Sequence, residues 1–268
     1  MSDPHASIGI FDSGFGGLTV MRAIRSLLPH ENIVYFGDTA HLPYGDKSAA
    51  TVLGYCIENS RFLVEQGIKL LVVACNTACS WGAIEAIGKL FSIPLIGVIE
   101  PGVMQTLRAS KTGRIAILGT RGTILSKVHQ TELERLLPQA HLISISCPLF
   151  VPLVEEGYTN HLLTEMVVQE YLRPLRNENI DTVLLGCTHY PLLQNAIRKE
   201  LGSSIQLIDP AISCAESVKS YLSTNALLNP SSSLPSYKFY VSDDPEKFRL
   251  LGYNFLEFPI QHVDKKRF

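Results

Sequence analysis

Two cysteines stand at the same point of two similar stretches. Cys75 ends the apolar run Leu70–Ala74 and is followed by Asn76-Thr77; Cys187 ends the run Val183–Leu185 and is followed by Thr188-His189. A thiol on each side of one small ligand is what inversion at a carbon requires. One sulfur removes a proton, and the other returns a proton to the opposite face. An ordinary thiol titrates near pH 8.5, within reach of such work if its neighbours tune it. His189, two residues beyond Cys187, is such a neighbour, because a charged imidazole favours a nearby thiolate.

Other residues suit a small charged ligand. Asp12-Ser13-Gly14-Phe15-Gly16-Gly17 follows the first apolar run and precedes a helical pattern. It is neither the dinucleotide Gly-x-Gly-x-x-Gly nor a P-loop. Such a turn offers backbone N–H groups to a carboxylate. Asp12 suits either a helix cap or a grip on an ammonium group that also poises Cys75. Pro43-Tyr44-Gly45 is an ordinary turn or a backbone and phenol contact over the ligand. Glu155-Glu156-Gly157 is a solvated helix end or a source of a carboxylate. Cys75 and Cys79 have the i, i+4 spacing of a metal pair, but no second pair with zinc-like spacing accompanies them. Cys79 is therefore expected to pack inward, and Cys56, Cys147 and Cys214 to behave as small core residues. No Gly-x-Ser-x-Gly occurs, so a serine hydrolase lacks its nucleophile elbow.

The elements that must hold these residues follow from periodicity. Continuous apolar runs rich in Ile and Val read as strands covered on both faces. They are Ile8–Phe11, Ile33–Phe36, Leu70–Ala74, Leu95–Ile99, Ile115–Leu118, His141–Ser146, Val183–Leu185 and Ile205–Ile208, with Lys238–Val241 as a further edge strand. Amphipathic stretches alternate with them: Leu18–Leu28, Ser48–Gln66, Ala78–Phe91, Leu125–Leu137, His161–Arg176 and Leu192–Leu201. The alternation predicts an α/β fold with mostly parallel sheets.

A weak repeat runs through it. Ile8-Gly-Ile-Phe-Asp-Ser-Gly lines up with Ile115-Ala-Ile-Leu-Gly-Thr-Arg, Leu70–Thr77 with Thr182–His189, and Leu95–Pro101 with Gln206–Pro210. The expectation is two similar doubly wound domains facing each other across a cleft. Residues 1–100 with 211–268 form the first, on the Cys75 side, and 101–210 the second, on the Cys187 side. The boundary is placed near Glu100-Pro101-Gly102. Strand carboxyl ends from both sheets then border the cleft, where ligands of such sheets bind.

Composition narrows the classes. Of 268 residues, 46% are hydrophobic and 18% charged, enough for a packed core and too little charge for disorder. A net charge of −2 argues against a nucleic-acid partner held by bulk positive charge. No apolar run approaches the length of a membrane span. No basic segment followed by a hydrophobic one opens the chain, so a cytoplasmic protein with reduced thiols is expected.

With these residues in place, the chain resembles the cofactor-independent aspartate/glutamate racemase superfamily, and its glutamate racemases in particular. The motifs that carry this are Phe11-Asp12-Ser13-Gly14-x-Gly16-Gly17-Leu18, Asp38-Thr39-Ala40-x-x-Pro43-Tyr44-Gly45-x-Lys47-Ser48, Ala74-Cys75-Asn76-Thr77-Ala78, the segment Cys147–Gly157, and Gly186-Cys187-Thr188-His189-Tyr190-Pro191-Leu192. They cover most of residues 8 to 215 in order. The resemblance implies interconversion of L- and D-glutamate with no cofactor and no metal, supplying D-glutamate for peptidoglycan synthesis. It assigns Cys75 and Cys187 as the acid/base thiols, tuned by Asp12, Glu155 and His189. Asp12, Ser13, Pro43, Tyr44, Gly45, Asn76, Thr77, Thr188 and His189 would hold the substrate. Choosing Glu155 over Glu156 rests on motif alignment, and Asp46 stands where family members often carry Glu. The resemblance implies no nucleic-acid or membrane partner and leaves a homodimer open. Three other readings remain: a racemase for aspartate, which differs by one methylene; a binding protein without turnover, which would need neither thiol; and a cysteine hydrolase or transferase built on Cys187 and His189, which would not need Cys75.

Overall fold

The computed structural model describes residues 3–267. Met1, Ser2 and Phe268, which the expected domain ranges and leader reading include, lie outside it. Among the described residues, ten strands form two sheets. The first contains β1 (Ile8–Asp12), β2 (Ile33–Gly37), β3 (Leu70–Val73), β4 (Leu95–Gly97), β9 (Tyr237–Val241) and β10 (Asp264–Lys265). The second contains β5 (Arg114–Gly119), β6 (His141–Ser146), β7 (Thr182–Gly186) and β8 (Gln206–Ile208). Every pairing is parallel. β1, β2, β3 and the body of β5 and β7 are buried throughout, which is why they read as unbroken apolar runs rather than alternating ones.

The strand orders expose the repeat. The first sheet runs β10-β9-β2-β1-β3-β4 and the second β6-β5-β7-β8. The order β2-β1-β3-β4 recurs as β6-β5-β7-β8, so β1 matches β5 and β3 matches β7, as the aligned motifs require. It also adds a match that the sequence did not offer, β2 with β6. In both sheets the order reverses beside the first strand, between β1 and β3 and between β5 and β7. Crevices at the carboxyl ends of such switch points bind ligands. Asp12 ends β1, Cys75 follows β3, Thr120 follows β5 and Cys187 follows β7.

Several expectations need correction. Leu95–Ile99 is not all strand: pairing stops at Gly97, and a helix runs over Ile99–Ala109. Glu100-Pro101-Gly102 therefore lies in the first turn of a helix. Proline fits there because the first-turn N–H groups have no intrahelical acceptor. A β-carbon on Gly102 would lie 3.1 Å from Cβ and Cγ of Pro210, so this helix passes close over the start of Pro210–Thr224. These two helices carry the chain out of and back into the first sheet. The stretch Ala78–Phe91 is two helices, Asn76–Ser80 and Ala83–Gly88, broken where Gly82 takes φ +86°. The stretch Leu125–Leu137 belongs to Arg121–Ser126 and Val128–Leu136, broken at Lys127 with φ +58°. β9 is not an edge strand, since β10 pairs outside it. The apolar segment before Glu156 is a short helix, Phe150–Glu155.

Candidate active site

Cys75 and Cys187 line one cavity. Its wall includes Ser13, Pro43, Tyr44, Gly45, Asn76, Thr77, Glu155, Thr188 and His189, all named from the sequence. Asp12 is the exception. It is fully buried but stands behind the wall, its Oδ2 accepting the Gly14 N–H at 3.1 Å. Burial raises its carboxyl above the usual range, against the opposing pull of His189 and of the Gly17, Gly14 and Ser13 amides.

The first thiol sits where a strand gives way to a helix. Cys75 caps the helix Asn76–Ser80, its sulfur accepting the Ala78 N–H at 3.4 Å, and it donates to Ser13 Oγ at 3.7 Å. Burial pushes this thiol well up, and the Asp12 carboxylate adds to the rise; the Ala78 amide and Ser13 pull back. In the free site Cys75 therefore keeps its proton at neutral pH.

The second thiol has different company. Cys187 Sγ lies 3.9 Å from His189 Nδ1, and His189 Nε2 lies 3.0 Å from Glu155 Oε1. Burial alone would lower the imidazole, but the hydrogen bonds and charges of Cys187 and Glu155 outweigh it and raise His189 to about 10. A charged imidazole thus bridges sulfur and carboxylate. The geometry also separates the two adjacent carboxylates: Glu155 faces His189, while Glu156 is exposed.

The glycine turn is built for this contact. A β-carbon on Gly16 would lie 2.1 Å from Thr188 Oγ1 and 2.5 Å from His189 Nδ1. Only a residue without one lets the first sheet's turn press against the second cysteine motif. Thr19 Oγ1 donates to the Thr188 carbonyl at 3.3 Å across the same seam.

Other candidates take more specific places. The Tyr44 hydroxyl donates to Asp38 and accepts from Asn59 Nδ2 at 3.1 Å, so ring and backbone, not a free phenol, are left to face the cavity. Asp38 also accepts from Ser242 Oγ at 2.7 Å. Asn76 lines the cavity, and its Oδ1 is buried with no hydrogen-bond partner. Thr77 Oγ1 reaches Thr120 Oγ1 at 2.9 Å. Asp46 pairs with Arg121 at 2.9 Å, joining the turn Tyr44–Asp46 to the second sheet's first helix. Cys79 turns away and donates to the Val73 carbonyl at 3.4 Å.

Leu42, Thr120 and Val151 also line the cavity and were missed from sequence. Thr120 had a signal, since the repeat aligns it with Ser13. Leu42 and Val151 are apolar side chains beside chemically marked neighbours and carried none.

Two thiols and a charged imidazole around one cavity are groups able to move protons at a small ligand. The description Asp/Glu/Hydantoin racemase matches residues 17–218, so the chain belongs to that racemase family. It is 45% identical to a glutamate racemase of Geobacter metallireducens over 94% of this chain and 93% of that one. Among solved structures it is similar to glutamate racemase from Francisella tularensis in complex with D-glutamate, with TM-score 0.92, 37% identity and 98% of each chain covered. It is also similar to glutamate racemase from Thermus thermophilus in complex with beta-chloro-D-alanine, with TM-score 0.89, 38% identity, and 99% and 98% covered.

Proposed function

We propose that the protein is a glutamate racemase that interconverts the enantiomers by proton transfer between Cys75 and Cys187. The observation that carries this is the pair of thiols, placed at matched strand ends and lining one cavity. Cys187 as thiolate takes the α-proton of L-glutamate, leaving a carbanion delocalised into the α-carboxylate. Cys75, protonated in the free site, gives its proton to the opposite face, and D-glutamate forms. The reverse reaction begins with Cys75 as thiolate. The charged His189, held by Glu155, stabilises negative charge on Cys187. Asp12 plays its part behind Cys75, through charge and not through the cavity wall. Ser13, Asn76, Thr77, Thr188 and the backbone around Pro43, Tyr44 and Gly45 hold the ammonium and carboxylate groups.

The same reading divides the chain into 1–100 with 211–268 and 101–210, the thiols on opposite sides of the cleft. It places the enzyme in the cytoplasm, without metal or cofactor, supplying D-glutamate for peptidoglycan synthesis. Among the described residues no helix is long and apolar enough to cross a membrane.

The test is incubation of each glutamate enantiomer in deuterium oxide after exhaustive chelation. Racemisation with α-deuterium in the product is expected, and its collapse in both Cys75→Ser and Cys187→Ser. With a substrate bearing a β-leaving group, which needs only the first abstraction, Cys187→Ser should favour the D enantiomer and Cys75→Ser the L. Near-normal racemisation in both mutants, or the same preference in both, would reduce the cysteines to packing residues.

A further inference from the structure

The imidazole of His189 is held on more than its two nitrogens. Its ring lies 5.2 Å from that of Phe255 at an interplanar angle of 81°, an edge-to-face contact. Phe255 belongs to the helix Pro245–Leu256, at the far end of the sequence, and is 1% exposed. The same helix places Phe248 5.5 Å from Phe15 and 5.8 Å from Tyr35, under the glycine turn. Phe255 also stacks on Phe15 at 6.3 Å. The tail helix thus covers the turn of the first sheet with one phenylalanine and reaches the histidine of the second cysteine motif with the other.

We propose that Phe255 is a positioning residue for His189, excluding water from the imidazole so that it stays locked between Cys187 and Glu155. This rests on the reading that His189 serves Cys187. The groups that face His189 are Cys187 on its own loop, Glu155 on the helix Phe150–Glu155, Asp12 on β1 and the Gly16 backbone. From the tail helix comes Phe255, an uncharged ring. Both nitrogens are already engaged, so what remains to be controlled is access along the ring edge and faces. Gly16 closes the side at Nδ1 and Cε1, and Phe255 supplies an aromatic wall. Opening that wall admits water, which competes for both hydrogen bonds and screens the attraction of Glu155. Relief of burial acts in the opposite sense. The hydrogen bonds and charges of Cys187 and Glu155 together outweigh burial, however, so loosening that weakens all of them in step moves the midpoint down from about 10.

The experiment is an NMR titration of His189 in protein carrying labelled histidine, assigned with His189→Asn. It is run on the full chain and on Phe255→Leu, Phe255→Ala and Phe248→Leu. Phe255→Leu keeps an apolar side chain and guards against an Ala variant that does not fold. Phe248→Leu perturbs the same helix away from the imidazole. The expected result is a His189 midpoint lowered by about one unit or more in the Phe255 variants. Their kcat should fall by about tenfold with KM little changed, and the alkaline limb of the pH profile should move the same way. Phe248→Leu should lower Tm yet leave the midpoint in place. An unchanged midpoint in Phe255→Leu, or an equal shift in Phe248→Leu, overturns the proposal and leaves Phe255 a core residue. The titration needs no turnover. A wild-type protein that does not racemise glutamate would count against the proposed function while the midpoints still decide the role of Phe255.

Discussion

At Cys187 a buried imidazole keeps its proton to about pH 10, while at Cys75 the buried carboxylate of Asp12 helps the thiol keep its own. The matched sulfurs are thus prepared in different ways, and the repeat alignment says why. Asp12 aligns with Gly119 and His189 with Thr77, so neither sulfur's partner has a counterpart in the other half. For His189 the folded value lies above the unfolded one of about 6.5. Its contribution to stability is therefore complete below that pH and is lost as pH rises through about 10. Glu155→Gln removes the anion that helps hold this proton. Its kcat should fall by about 10- to 100-fold, the cost of one hydrogen bond to a charged group. Its thermal stability should also begin to decline at lower pH than that of the wild type. Glu156→Gln should match the wild type in both measurements, and an equal loss in the two variants would assign the carboxylate wrongly.

Elements far from the cavity are secured by buried polar clips. Lys69, just before β3, is buried with its Nζ 2.5 Å from Glu31 Oε2, 2.6 Å from the Pro4 carbonyl and 2.8 Å from the Leu227 carbonyl. Glu31 in turn accepts the Asn229 N–H at 2.8 Å. One ammonium thereby ties the N-terminal segment and the loop before β9 to the base of the first sheet. Lys69→Met should cost about 3–5 kcal/mol in urea unfolding, because it strands a buried carboxylate; a loss below about 1 kcal/mol would show that the clip is not needed. Strands β1, β2, β3, β5 and β7 were legible because burial on both faces leaves an unbroken apolar signature, whereas the two exposed residues of β10 leave none. Helix breaks were less so. Gly82 marks one plainly, but Lys127 adopts a left-handed backbone that nothing in its side chain announces. The helix Ile99–Ala109 was hidden by Pro101-Gly102, residues that punctuate most chains. Here Pro101 falls in a first turn and Gly102 lies under Pro210. The cavity-lining polar residues were nearly all legible, since each sits in a marked motif, most of them just after a strand, with Glu155 at a helix end. Phe255 was not, because its contact with His189 depends on how the tail returns.

Across the whole molecule the second sheet is an uninterrupted segment inserted into the first. The chain leaves β4, completes β5 to β8, and then returns to lay β9 against β2. A chain ending at Ser236 would lack β9, β10 and the helix Pro245–Leu256. The edge of β2 would lie open and Phe15 and Tyr35 would be uncovered. Such a chain should be inactive and aggregate on size-exclusion chromatography, as unpaired edges do; a soluble, active product would make the tail dispensable. The insertion also bears on synthesis, which proceeds from the N-terminus. The later-made sheet has all its strands once Ile208 has emerged, whereas the sheet begun first waits for Val241 to gain β9 and for Lys265 to gain β10. A ribosome that stalls between Ile208 and Val241 holds a nascent chain with both matched sulfurs already translated and the second sheet able to close. What it still lacks is the last-made stretch, which completes the oldest part of the protein and brings Phe255 to His189.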